Sequence, residues 1–283
     1  MREADTIGFT LQFDHVVHYV NQPEQVIEEL KPYGISAVHG GRHELIGTYN
    51  ALSYFDLSYI EWIGVFDHSQ LPLGDRTSRY GLIETLAIDS FKEGLSRIAL
   101  RTHDIEGLAE HLHSQGLEVS GPEEGSRRRP DGTLLKWKLL FAGEAGVQDG
   151  LPLPFFIQWE GEEANRKQEL QEAGVILPHE RGPLQLREVG FTVSRLQETV
   201  EKWAKWFRVY AGEVVYDPKL KGKRQTLDLH GTLLSFVEPV EEGLAAEALK
   251  SRGQRPFLVG LSSGGPGSQL EYVDFHGSLY YLN

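Results

Sequence analysis

Two residues that can move protons stand inside otherwise apolar strands of this 283-residue chain: His15 in FDHVVHYV (13–20) and Glu61 in SYIEWIGVF (58–66). A carboxylate among apolar neighbours costs several kcal/mol to bury unless a cation or a hydrogen bond faces it. Glu61 therefore either reaches solvent or serves a site. Tyr59 and Ile63 share its face under strand alternation, which favours the interior. An imidazole with a carboxylate is equipment for general acid–base catalysis, and the same pair supplies donors for a divalent ion. Two further polar residues, His43 and Asn50, lie in GGRHELIGTYNAL (40–52), and whether Asn50 shares the face of Glu61 depends on the parity of the FDLS turn. Arg129 and Trp137, on either side of a Pro130-Asp131-Gly132 turn, can hold and stack an anionic, planar ligand; residues of these types in a hairpin also simply cover a sheet.

Other constellations carry less. His18 lies three residues from His15 and so on the opposite face of the strand. His39 and His43 flank Gly40 and Gly41, which reads as a loop rather than as the helix that their spacing would need as a metal pair. His111 and His113 diverge on a helix. No G-x-S-x-G elbow occurs, which removes support for serine hydrolysis, and the absence of cysteine excludes disulfides, thiol nucleophiles and Cys-based zinc sites.

Three segments share one layout of elements. FDHVVHYV, SRIALRTH (96–103) and LREVGFTV (186–193) each read as a strand followed by an amphipathic helix, with apolar residues at three- and four-residue steps such as Val200, Trp203 and Phe207. Period-two segments broken by turn residues follow each helix and read as antiparallel strands. The unit is βαβββ. After Pro239 a short helix, EEGLAAEALKSRG, and three strand-like segments read as a fourth unit that has lost its first strand. GGPGS (264–268) reads as a loop and EEANRKQELQEAG (162–174) as a surface connector, with the domain boundary near residue 178. The expected division is residues 1–178, two units, and residues 179–283, the third unit with the degenerate fourth. The fold class is α+β, with tandem βαβββ units forming open, mostly antiparallel barrel-like sheets with helices outside.

Forty-one acidic against 28 basic residues leave a net charge of −13, a field that repels polyphosphate. Arg127 to Arg129 and Lys219 to Arg224 read as solvated hairpin tips, so no nucleic-acid partner is expected. No stretch approaches the roughly 18 apolar residues of a membrane span, and the N-terminus lacks the apolar core of a signal peptide. The expected location is the cytoplasm.

FDHVVHYV, GGRHELIGTYNAL, SYIEWIG, SRRRPDGTLLKWKL and LPFFIQWE resemble the glyoxalase-like domain branch of the vicinal oxygen chelate superfamily, the group of glyoxalase I, methylmalonyl-CoA epimerase, extradiol dioxygenases and bleomycin-resistance proteins. The resemblance covers residues 13–160; beyond 186 the pattern alone supports it. It implies a barrel from two paired units, each giving a metal one residue from its first strand and one from its last. Those positions fall on His15 and Glu61, then on Arg97 and Gln158. Gln158 is a tolerable ligand, whereas Arg97 has no lone pair to give. A guanidinium in the metal's place, paired with Glu61, is the resulting expectation, with Arg97→His and Gln158→Glu together restoring a two-His, two-Glu set. The cofactor reading is one divalent ion (Zn, Ni, Mn or Fe) or none, with equal weight.

The function implied is a small-molecule ligand in the barrel cleft. One version is a lyase, isomerase, epimerase or oxygenase acting on a carbonyl or enolate-forming substrate, with Glu61 and His15 moving protons and Arg97, Gln158, His43, Asn50, Arg129 and Trp137 binding it. The other is a metal-free binder of the resistance type, walled by Tyr49, Tyr54, Trp62, Trp137 and Trp159. Either is compatible with a monomer or a homodimer.

Overall fold

In a computed structural model the described residues are 8–74, 79–128, 132, 134–147, 150–263 and 272–283. The first unit comprises β1 (Gln12–Tyr19), α1 (Pro23–Glu29), β2 (Val38–His43), β3 (Thr48–Phe55) and β4 (Ser58–Val65). A linker helix α2 (Leu82–Ile88) leads to the second unit: β5 (Gly94–Arg101), α3 (Ile105–Ser114), β6 (Glu118–Arg128), β7 (Leu134–Gly143) and β8 (Phe155–Trp159). Helix α4 (Glu163–Glu172) connects to β9 (Gln185–Thr192), α5 (Leu196–Phe207), β10 (Val215–Asp217), β11 (Gly222–Leu229) and β12 (Thr232–Pro239). Then come α6 (Leu244–Arg252), β13 (Arg255–Ser262), β14 (Val273–Phe275) and β15 (Ser278–Leu282).

These strands form two sheets, ordered β2-β3-β4-β1-β5-β8-β7-β6 and β10-β11-β12-β9-β13-β15-β14. Units one and two thus share one curled sheet, joined by antiparallel β1 and β5. Most neighbours are antiparallel, and within each unit the first and last strands pair in parallel. The fourth unit corrects the sequence reading. Its first strand is present as β13, antiparallel to β9 and parallel to β15. Among the described residues, no helix follows that strand and the meander comprises β14 and β15.

Alternation sorts the side chains of the first sheet. Val16 of β1 and Val20 just after it face outward into a cluster with Val26 of α1, Leu108 and Leu112 of α3, and Val200, Trp203 and Phe207 of α5. The predicted stripe on α5 is therefore the one buried. Val17 and Tyr19 face inward with Ile63, Ala99, Phe155 and Ile157. Helices α2 and α4 depart from the expected arrangement with helices outside, because both lie against the concave face. Ile83 and Leu86 of α2 join the inner cluster, and Leu170 of α4 packs on Leu52, Tyr54 and Tyr59.

Candidate functional site

The concave face of the first sheet encloses a cavity of about 660 Å³. Apolar side chains make most of its wall, among them Tyr54, Ile63, Leu139, Phe155 and Ile157. His15, His43, Asn50, Glu61 and Trp137 all line it, as do Trp159, Arg127 and Arg166.

Local backbone geometry brings the acid–base residues together. The β3–β4 turn consists of Asp56 and Leu57, with Phe55 paired to Ser58. This even count places Asn50 opposite Ile63 and Leu52 opposite Glu61, all on one face. Asn50 Nδ2 donates to Glu61 Oε1 at 2.6 Å while its Oδ1 accepts from the Gly41 amide at 2.7 Å. The approach needs glycine at position 40, where a Cβ would stand 2.0 Å from Asn50 Oδ1.

On β1 the register shifts between Phe13 and His15. Asp14 occupies this bulge, and the added twist sets it behind the cavity wall, within reach of the lining residues His15 and Trp159. His15 Nδ1 lies 2.7 Å from Asp14 Oδ1, and Trp159 Nε1 donates to Asp14 Oδ2 at 3.0 Å. Burial pushes the Asp14 carboxyl up, but the His15 hydrogen bond and the charges of His15, Arg166 and Arg101 outweigh it and hold the group below its ordinary value. An ionised Asp14 only accepts, so His15 Nδ1 is protonated in the neutral and the charged ring alike, which leaves Nε2 facing Glu61, 3.7 Å from Oε2, as the nitrogen that can take up or give a proton. His15 stacks on Tyr59 at 4.4 Å and meets Phe155 edge-on. The result is a file, Asp14–His15–Glu61–Asn50, along the wall of a largely apolar chamber.

His43 bonds Thr48 Oγ1 through Nδ1 at 2.9 Å; burial lowers its pKa against the pull of Glu61. His39 also lines the cavity, and both histidines belong to strand β2 rather than to a loop. Trp137 leans on Trp159 at 5.7 Å between ring centroids. Arg129 lies outside the described residues.

Two of the expected ligands are elsewhere. Arg97 points to the concave side but is covered by α2, where it donates to the carbonyls of Tyr80, Gly81 and Leu153 and to Thr85 Oγ1. Burial brings its pKa down to about 10, so it keeps its charge at neutral pH. It makes no pair with Glu61, because the Tyr80, Gly81 and Leu153 carbonyls and the Thr85 hydroxyl take up its terminal donors. Gln158 is on the opposite face of β8, where its Oε1 accepts from the Ile105 amide at the start of α3. The four residues therefore do not floor one cleft. Of the proposed aromatic wall, Trp62 faces outward against His18 and Tyr280, and Tyr49 bonds Glu24 near the surface.

Arg97 is the fourth residue of β5 (Gly94–Arg101) as His15 is of β1 (Gln12–Tyr19). In the first unit Val17, two residues on, lies beside Glu61, and in the second Ala99, two residues on, lies beside Phe155. Arg97 and Phe155 thus stand at the positions corresponding to His15 and Glu61, and neither has a lone pair to give a metal. Among the described residues no group of three or more His, Asp or Glu side chains is arranged to hold a metal ion. The donor set does not fit a divalent ion of the kind expected, and Arg97→His with Gln158→Glu would not complete it.

The second sheet fills the corresponding space itself. Glu188, paired with Leu233 as His15 is with Tyr59, meets Arg224 at 2.8 Å and accepts from the Tyr281 hydroxyl at 2.7 Å. Leu220, Val237, Phe257 and Leu258 pack beside Tyr281.

The sequence matches the family described as a glyoxalase-like domain over residues 13–207. The chain belongs to the glyoxalase-like domain family. With it the chain joins the vicinal oxygen chelate superfamily. No curated protein sequence matches it. Among solved structures, a hypothetical protein from Staphylococcus aureus is similar at TM-score 0.77 and 23% identity, covering 96% of this chain and 99% of that one. A variant of 4-hydroxymandelate synthase from Streptomyces coelicolor is similar at TM-score 0.54 and 12% identity, over 90% and 72% of the two chains. At these identities the likeness concerns the fold. No helix among the described residues is long and apolar enough to cross a membrane.

Sequence reasoning missed Asp14, Arg127 and Arg166. Asp14 is visible as the neighbour of His15, but the bulge that sets it within reach of that ring leaves no mark in the sequence. Arg166 was assigned to a surface connector because EEANRKQELQEAG has almost no apolar stripe; Leu170 is its one large apolar residue against the wall.

Proposed function

We propose that the first barrel binds a small hydrophobic carbonyl compound and catalyses a proton transfer on it, as an isomerase or epimerase of this superfamily would. The observation that carries this reading is the Asp14–His15–Glu61 file on the wall of the 660 Å³ cavity. Glu61, oriented by Asn50, takes the proton from the carbon next to the carbonyl. The electron pair moves to the carbonyl oxygen, which receives a proton from His15 Nε2, and the ionised Asp14 offsets the charge of the imidazolium that supplies it. Reversal of the two transfers, to the other face or another carbon, completes the turnover. Apolar walls keep water from the enolate. A second reading, metal-free sequestration, is favoured by the enclosure of the cavity under α4 and by its aromatic lining, since such pockets need few polar anchors.

In this reading residues 1–178 carry the site and residues 179–283 form a filled barrel that buttresses it. The absence of cysteine suits a reducing cytoplasm, and the site needs only one copy of the chain, so monomer and homodimer both accommodate it. The test is incubation in D2O with a panel of aryl and alkyl aldehydes, ketones and oxo acids, followed by proton NMR, with Glu61→Gln alongside. Exchange by wild type and not by the variant supports catalysis. Binding in a thermal-shift screen without exchange supports sequestration instead.

A further inference from the structure

The guanidinium of Arg166 is in an unusual position for a buried cation. It projects from α4 into the cavity wall with 8% of its side chain exposed, yet Nε and one terminal nitrogen have no hydrogen-bond partner. Its nearest carboxylate oxygen, Asp14 Oδ2, is 3.8 Å away, beyond hydrogen-bonding reach. Asp14 does not need it, since His15 and Trp159 already serve both Asp14 oxygens. Nε of Arg97, Arg252 and Arg255 also lacks a partner, as does one terminal nitrogen of Arg255, but each of these arginines has an acceptor close to its guanidinium: Arg97 donates to four, Arg252 to Leu95 and Asp89, and Arg255 lies 2.8 Å from Asp89. Arg166 instead rests on the Trp159 ring, 4.8 Å from its centroid.

The helix that carries it is fixed in place. Glu163 in the first turn of α4 pairs with Arg101, Lys167 with Asp56 at 2.7 Å, and Leu170 is buried against Tyr54 and Tyr59. Buried donors without partners cost roughly 1–3 kcal/mol each, more when charged, so a fold that holds a planar cation this way has a use for a bidentate acceptor. A carboxylate is the group that matches the guanidinium fork.

We propose that Arg166 is the anchor for the acid group of the ligand, and that the substrate class of the cavity is a hydrophobic monocarboxylate. This rests on the reading of the cavity as a ligand site. Asp14 touches His15 on one side and approaches Arg166 on the other, so an acid group on Arg166 lies only a carboxylate's width from the reacting pair. The carbon that loses its proton is accordingly close to the carboxylate, and the apolar tail extends toward Leu139, Phe155 and Trp137. Residue 166 is a specificity determinant in this arrangement, and Glu61 with His15 keep the chemistry.

Calorimetric titration with 3-phenylpropanoate and with its neutral twin, 3-phenylpropanamide, tests the assignment on the full chain. Wild type should prefer the acid by about tenfold or more, the worth of a charge-assisted hydrogen bond. Arg166→Gln should lose that preference while still binding the amide. Arg166→Lys, which keeps the charge beside Asp14, should retain part of it and provides a readout if the glutamine variant does not fold. Equal affinity of wild type for acid and amide, or a preference that survives in Arg166→Gln, overturns the anchor but leaves the cavity as a ligand site. Failure of wild type to bind either compound also overturns the substrate class, and the D2O exchange panel then judges the catalytic reading separately.

Discussion

Acidification from pH 7 to pH 5 should remove about 2 kcal/mol of stability through His18 alone. This residue is fully buried on the outward face of β1, at the junction of the two sheets. Its Nδ1 accepts from the Tyr280 hydroxyl at 2.6 Å, and its Nε2 donates to the His276 carbonyl at 3.0 Å. Burial pushes the imidazole down from 6.5 to about 3, only partly opposed by the His276 carbonyl and reinforced by the charges of His276 and Arg252. Because the folded value lies below the unfolded one, the unfolded chain takes up the proton first. Stability is therefore full above about pH 6.5 and falls as the pH drops toward 3. At pH 5 the unfolded histidine is almost wholly charged and the folded one is not, a gap of about 1.5 pH units or 2 kcal/mol.

His276 behaves in the opposite sense. Burial opposes its protonation, but its bonds to Glu29 and Glu93 raise it overall, so it adds stability in acid that is lost as pH rises through its folded value. The assay is accordingly a difference. Urea unfolding of wild type and His18→Phe is measured at pH 7, 6 and 5, and the His276 contribution cancels. Phenylalanine leaves the Tyr280 hydroxyl and the His276 carbonyl without a partner, which costs roughly 1–3 kcal/mol at every pH. The variant should be the weaker protein at pH 7, and its deficit should shrink by about 2 kcal/mol at pH 5. A deficit that does not change with pH would refute the neutral, buried His18.

Three further outcomes are expected. Asn50→Leu removes the donor to Glu61 and the acceptor of the Gly41 amide, so it should lower the unfolding free energy by about 2 kcal/mol in urea titration and abolish exchange in D2O. Trp137→Ala should weaken binding of 3-phenylpropanoate by about tenfold, roughly 1.4 kcal/mol, and cost less than that in unfolding free energy, because Trp137 is only half-buried on β7. Arg97→His with Gln158→Glu should destabilise the protein by about 3 kcal/mol or more, through lost partners for the Tyr80 and Leu153 carbonyls, since glutamate at 158 keeps an acceptor for the Ile105 amide. Calorimetric titration with nickel, zinc and manganese should show no tighter binding than wild type.

Much of the architecture was legible because βαβββ units carry two periodicities that survive in sequence. The 3.6-residue stripe of Val200, Trp203 and Phe207 records the buried face of α5, the period-two run TYNALSYF marks a strand, though one buried on both faces, and the glyoxalase-like resemblance rests on segments of the same kind. His15 and Glu61 were legible as a pair because polar residues within apolar strands need partners. Their partners were not. Placing Asp14 beside His15 takes a one-residue bulge, and placing Asn50 on Glu61 takes a two-residue turn; each depends on strand register, which is set between chain segments rather than within one. The same cause decides the second half of the expected set: the pairing of β5 with β8 puts Phe155 beside Ala99 and leaves Gln158 on the outward face, while the Tyr80 and Leu153 carbonyls take up Arg97. Arg166 lay furthest from reach. Its helix has a polar composition typical of a surface connector, and only the docking of α4 across the mouth of the first barrel turns one of its arginines into part of the cavity wall.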